Sequence, residues 1–168
     1  MSSTRALLTT LDAEIRQADE AVRQIAVHDP VVARLTSAPG IGPVTAAAFV
    51  ATLDRADRFA GAHQVESYLG LIPSEDSSAD YRRRGHITKA GNPRMRWLLV
   101  QAAWAVWHSK KADAQSLRAW AQRIAHRRGK SVAIVALARR LAGIVFAMWR
   151  DETPFEAARL GRRATTVP

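Results

Sequence analysis

Leu35-Thr36-Ser37-Ala38-Pro39-Gly40-Ile41-Gly42-Pro43-Val44-Thr45-Ala46 lies between two apolar helical patterns, one starting near Val31 and one running from about Val44 to Leu53. Two helices flanking a Pro-Gly-Ile-Gly turn have the form of a helix-hairpin-helix. Glycine lets the backbone turn sharply and approach another surface closely. The helix that follows aims its free N–H groups and positive dipole end outward, where a phosphate would sit. On that basis Gly40, Ile41, Gly42 and Thr45, the last through its hydroxyl, are candidate nucleic-acid-binding residues. Such contacts position a duplex without reading its sequence. The alternative is a tight helix–helix turn that binds nothing.

Upstream, Leu8, Leu11, Ile15, Ala18, Val22 and Ile25 recur in steps of three and four, which predicts a helix from about Thr4 to Ala26 with coiled-coil spacing. Asp12, Glu14, Asp19 and Glu20 fall on its polar face. Residues 8–25 either join copies of the chain into a homo-oligomer or pack on the chain's own body. His28-Asp29-Pro30 ends this helix, because the residue before proline is pushed out of the helical region. Residues 1–29 thus read as a helical connector and 30–150 as a compact helical domain.

Downstream, a short helix from Ala62 to Leu69 ends at Gly70, with Pro73 beyond it as a stop signal. Ser74 to Gly91 is polar and dense in serine and arginine, the signature of a loop or a short hairpin. Asn92-Pro93 is a helix start, with asparagine as cap and proline at the first helical position. The helix that follows, to about His108, is apolar almost all round, which predicts the central buried helix. Two more are expected: Ala114–Arg127, stopped by Gly129, and Val132–Trp149, capped by Ser131. Residues 151–168, patternless from Thr153, are expected to form a flexible tail. No strong alternating strand pattern appears, so the predicted fold is all-α: a coiled-coil-like helix followed by a compact helical domain containing the helix-hairpin-helix.

The chain has 168 residues and 48% apolar side chains, enough for one real core. It carries 25 Lys and Arg against 15 Asp and Glu, a formal charge of +10. Such an excess calls for a polyanionic partner, of which nucleic acid is the usual one and a membrane surface the competing one. No run of about 18 uninterrupted apolar residues and no signal peptide is present, so a membrane role is not expected and a cytoplasmic, nucleoid-associated location is. The absence of cysteine excludes disulfides and thiolate metal sites. Five scattered histidines show no ligand spacing, and no metal site is expected.

In the polar stretch, hydroxyls lie a few residues upstream of Arg82, Arg83, Arg84, Lys89, Arg94 and Arg96. A serine attacking a phosphodiester needs cations nearby, because negative charge builds on the non-bridging oxygens. The guanidinium fork suits that task. The serine must also lose its proton, for which His86 or Lys89 is a candidate base. A solvated phosphate-binding loop would have the same composition.

The order of these motifs resembles one family. Leu35–Ala46, then Arg58-Phe59, Tyr68-Leu69-Gly70-Leu71-Ile72-Pro73, Ser77-Ser78, Gly85-His86-Ile87-Thr88-Lys89-Ala90-Gly91-Asn92 and Arg96 follow one another as in the C-terminal transposase domain of the insertion-sequence one-ten family, some of whose members are guided by a bridge RNA. The likeness covers about Val31 to His108, with a helical continuation to about Trp149. It implies DNA transposition with a serine nucleophile, and Ser78, followed by Ala79 where the family usually has glycine, matches it best; Ser77 is the alternative. Arg82 to Lys89 match the part expected to touch nucleic-acid backbones. DNA, and a structured guide RNA, are the implied partners. Full-length members resemble a two-part enzyme whose N-terminal RuvC-like domain supplies four metal-binding carboxylates, and this chain begins at the connector that would follow. Magnesium is thus expected only with that domain, and the chain alone is expected to be inactive. Two other functions compete: a non-catalytic helix-hairpin-helix module or decayed fragment that only holds nucleic acid, and a helical assembly module in which the charge is incidental.

Overall fold

The computed structural model describes residues 2–78 and 81–158, with side chains for all of these except 2–3, 25–27, 75–78 and 81–85. Seven α-helices run through the described residues: α1 (Ser2–His28), α2 (Pro30–Leu35), α3 (Pro43–Leu53), α4 (Ala62–Tyr68), α5 (Pro93–His108), α6 (Gln115–Arg128) and α7 (Lys130–Arg150). Between α4 and α5 stands one antiparallel hairpin of two strands, β1 (Pro73–Ser78) and β2 (Tyr81–Ile87). The fold is helical, as expected, and the polar stretch takes the hairpin form of the two that its composition allowed.

Local chemistry sets most boundaries. Asp29 does more than end α1: its Oδ1 accepts from the N–H groups of Val31 (2.8 Å) and Val32 (3.1 Å), with Pro30 at the first helical position. Asn92 does the same for α5, accepting from Arg94 (2.9 Å) and Met95 (3.1 Å) ahead of Pro93. The α6–α7 boundary differs from expectation. Gly129, at φ +87°, ends α6 and caps α7 in one residue, so α7 begins at Lys130 and Ser131 lies inside its first turn. A left-handed glycine lets two helices abut with no loop between them.

The core forms around α7, not α5. Ten residues of α7 are buried, among them Leu137, Leu141, Val145 and Phe146, and it packs against α2, α4, α5 and α6. Small residues make this possible: a Cβ at Gly143 would lie 3.1 Å from Oε1 of Glu66 and 3.3 Å from Cβ of Ala62, where α4 crosses. By length and composition α7 could cross a membrane, yet here it is the core helix. Edge-on aromatic pairs join its C-terminal half to the elements around it: Phe49 with Trp149 at 6.4 Å, and Phe59 with Phe146 at 6.2 Å and with Tyr68 at 5.3 Å. The helix expected at the centre, α5, buries Leu98, Leu99, Ala102, Ala103 and Val106 on one side only and leaves Trp97 58% exposed on the other.

At the N-terminus, α1 touches α2 and α3, but its side chains from Thr4 to Ala21 are exposed, including Leu8, Leu11 and Ile15. The apolar seam from Leu8 to Ala18 is therefore not covered by the chain's own described residues, while Val22 is half-buried. At the other end, Phe155 packs against the core and its N–H donates to Oγ of Ser37 (2.9 Å). The expected tail is thus tied down at Phe155; residues 159–168 lie outside the described residues.

Candidate nucleic-acid interface

The hairpin grows from a root built almost wholly of backbone contacts. Leu69 and Leu71 are buried, and Ile87 packs against the core from the returning strand. Thr88 N–H donates to the carbonyl of Ile72 (2.9 Å), and Lys89 N–H to that of Gly70 (3.1 Å). Nη1 of Arg96 donates to the carbonyls of Leu69 (3.3 Å) and Gly91, clamping the two chain segments together. The segments lie so close that a Cβ on Gly91 would stand 2.0 Å from the carbonyl oxygen of Tyr68, and one on Gly70 (φ +67°) 2.6 Å from the nitrogen of Ala90. Above the root, Oγ of Ser74 donates to the carbonyl of His86 (2.9 Å).

Register then assigns positions along the hairpin. Glu75 pairs with Arg84, Asp76 with Arg83, Ser77 with Arg82 and Ser78 with Tyr81, with an irregularity between Pro73 and Glu75. Ser78 and Ser77 therefore stand at the end of β1 farthest from the root. The side chains of Ser77, Ser78, Arg82, Arg83 and Arg84 lie outside the described residues. His86 follows Tyr81 by five strand positions, which at about 3.3 Å each amounts to roughly 16 Å. That exceeds the reach of an imidazole, and Lys89 lies farther still. Lys89 is exposed with its backbone at φ +56°, Arg94 is exposed, and Arg96 is committed to the clamp.

The Pro-Gly-Ile-Gly turn divides between inside and outside. Ile41 is buried, and Thr45 is only 9% exposed. Gly40, at φ +77°, is pressed on α5, where an added Cβ would lie 2.4 Å from the carbonyl oxygen of Ala102. Gly42 faces open space and caps α3 with no side-chain hydrogen bond, and Val44 next to it is exposed. Ile41 and Thr45 form the inward part of the turn, while Gly40 is exposed on the side away from α5, Gly42 is half-buried and Val44 is exposed.

A family model described as "Transposase IS116/IS110/IS902 family" matches residues 32–119, from α2 through the turn, the hairpin and its root to the start of α6. The chain belongs to that family. It is 37% identical over 151 residues to a "Probable family 20 transposase" of Pseudomonas aeruginosa, covering 87% of this chain and 43% of that protein. It is 31% identical over 147 residues to the "Transposase for insertion sequence element IS1111A" of Coxiella burnetii, covering 87% and 40%. It is 29% identical over 150 residues to an IS110 insertion-element protein of Streptomyces coelicolor, covering 89% and 36%. The chain spans about two fifths of the length of these curated relatives. The family match covers both sites that the residues singled out and the root that joins the hairpin to α5.

Charge adds what the motif reading missed. The chain's excess does not sit on the turn or the hairpin, where the acids Glu75 and Asp76 hold register positions opposite Arg84 and Arg83. Between Pro93 and Arg150 twelve Lys and Arg face one acid, Asp113. Counting charge by segment would have found it. Two of the twelve have ion pairs, Arg139 with Glu66 and Arg150 with Asp151. Burial, and then the nearby Arg123, lower the pKa of the Arg140 guanidinium, which lies over the Trp120 ring at 4.5 Å. Among the described residues no three His, Asp or Glu side chains gather as a metal site, and the acids of α1 are exposed along one helix. A cleft of about 240 Å³ between α4, α7 and Phe155 includes no residue of the hairpin or its root.

Proposed function

We propose that this chain is the DNA-handling part of an insertion-sequence transposase, with the hairpin as a rigid mount for a serine nucleophile. The observation that carries it is the family match running through a hairpin whose root is locked to α5 by Gly70, Gly91 and Arg96. In this reading Oγ of Ser78 attacks a DNA phosphorus, a serine phosphodiester forms, and the displaced deoxyribose oxygen takes up a proton. Arginines at positions 82–84 offset charge on the non-bridging oxygens. The α2–turn–α3 unit acts as a helix-hairpin-helix through Gly42 and the free N–H groups at the start of α3. A structured guide RNA is a further partner in this reading, and the magnesium chemistry belongs to a RuvC-like domain.

The test is a denaturing gel of the chain incubated with labelled duplex DNA. A covalent adduct that vanishes in Ser78→Ala and persists in Ser77→Ala supports the nucleophile. Binding without an adduct favours a second reading, a docking module with no chemistry of its own, for which the distance from Ser78 to His86 and Lys89 speaks. The exposed seam of α1 supports self-association as well. The chain is expected to elute as a dimer that persists in high salt, and Leu11→Glu with Ile15→Glu to elute as a monomer; a monomeric wild type would refute the seam's role.

A further inference from the structure

We propose that the outer face of α5, extended by the α6–α7 joint, is a second DNA-binding surface that holds the phosphate backbone of a duplex and leads it toward the hairpin. It rests on the reading of the chain as a DNA-handling module and adds to it a surface of which the motifs marked only the start, at Lys89 and Arg94.

Arg94, Trp97, Gln101, Trp104 and His108 follow one another at three- and four-residue steps, so they share one face of α5. Trp97 stands 58% exposed on this face. Trp104 has a different task. It stacks on His108 at 5.6 Å and lies under the Lys130 ammonium at 4.7 Å, which is also 5.5 Å from the Trp107 ring. Two indoles thus hold the Lys130 cation in one place, so less side-chain freedom is lost when it meets an anion.

Lys130 is carried by the Gly129 joint, next to Arg127 and Arg128, which are exposed and have no ion pair among the described residues. Lys110 and Lys111, also exposed and without an ion pair among the described residues, follow closely on the end of α5. The band therefore begins at the hairpin root, at Lys89 and Arg94, and ends at Lys110 and Lys130. Its 16-residue helix is about 24 Å long, the rise of roughly seven base pairs at 3.4 Å each. The segment itself holds one acid, and no ion pair among the described residues involves Arg94, Lys110, Lys111, Arg127, Arg128 or Lys130. Charge complementarity and the membership in a transposase family commit the face to DNA. Because α5 also supplies Arg96 to the root, DNA lying on this face keeps a fixed position relative to the hairpin.

The test uses the whole chain and a short fluorescein-labelled duplex of arbitrary sequence, with affinity read by anisotropy between about 50 and 200 mM salt. Three variants are compared: Lys110→Gln/Lys111→Gln/Arg127→Gln/Arg128→Gln, Arg82→Gln/Arg83→Gln/Arg84→Gln, and Lys130→Gln beside Lys130→Arg. All four positions of the first are exposed, and far-UV circular dichroism checks that it stays helical. That fourfold variant is expected to lose affinity at least about thirtyfold and to lower the log–log salt slope by about three or four, near 0.9 per lost contact. Lys130→Gln is expected to lose several-fold, and Lys130→Arg to restore it. Fourfold-variant binding within about twofold of wild type, at an unchanged slope, overturns the proposal. If the hairpin variant then loses binding, the reading of the chain as a DNA module stands and only this face falls. If the wild type binds no duplex, both fall. Binding of a hairpin RNA that drops in the fourfold variant while duplex binding does not overturns the assignment to DNA.

Discussion

Gly91→Ala is expected to destabilise the chain by about 3 kcal/mol or more, lowering the thermal midpoint by roughly 10 °C as read by circular dichroism. The added Cβ would stand 2.0 Å from the carbonyl oxygen of Tyr68 and 2.8 Å from both the carbonyl carbon and the Cα of Leu69. All three are backbone atoms, so no side chain can rotate away. The two segments must part by more than an ångström, which breaks the Lys89–Gly70 and Thr88–Ile72 hydrogen bonds and pulls Leu69 and Gly91 apart under the Arg96 clamp. Each carbonyl left buried and unpaired adds about 1–3 kcal/mol. Because the root is also the mount of the hairpin, any Ser78-dependent adduct should vanish even where the helices survive. A midpoint within 2 °C of wild type, about the smallest shift that 1 kcal/mol produces in a chain of this size, would mean that the root is not packed as described.

Gly40→Ala and Gly42→Asp are expected to separate folding from binding within one turn. At Gly40 alanine meets both a left-handed backbone (φ +77°) and the Ala102 carbonyl oxygen at 2.4 Å. Strain of about 1–2 kcal/mol and overpacking of about 1–3 kcal/mol add to a loss near 3 kcal/mol. At Gly42 the backbone is extended (φ −90°, ψ 173°) and the space is open, so aspartate fits and can cap α3. Stability should hold or rise by a few tenths of a kcal/mol. Its charge, placed where a phosphate would approach the helix start, should weaken duplex binding several-fold. Unfolding curves and anisotropy on the same samples read both effects. A Gly42→Asp protein that binds as wild type would remove the start of α3 from the interface, and a stable Gly40→Ala would contradict its packing on α5.

Those two glycines also show what could be read along the chain and what could not. Signals made of adjacent residues were legible: Asn92-Pro93 as a helix start, Gly70 and Gly129 as stops, the Pro-Gly-Ile-Gly turn between two helices. Their local chemistry decides the backbone without help from distant parts. Which glycine of the turn has no room for a side chain depends on α5, sixty residues on, and the burial of Ile41 and Thr45 is likewise set by distant packing. The choice of α7 over α5 as core helix has the same origin, since an all-round apolar pattern fits both and only the neighbours distinguish them. The hairpin was half legible. Its strands, PSEDSS and YRRRGHI, carry no apolar alternation, and what anchors them is the root, through Leu71, Ile87 and backbone bonds. The Arg run stood out as a motif, while the excess of cations over acids along α5–α7 shows only when charge is counted by segment.

The most direct test of the DNA-handling role is binding of duplex DNA by the purified wild-type chain across a salt series. The expected result is binding at about 50 mM salt that weakens along a straight log–log line, with a slope of at least about five, as phosphate contacts release counterions. No binding at that salt, or binding that salt leaves unchanged, would contradict it.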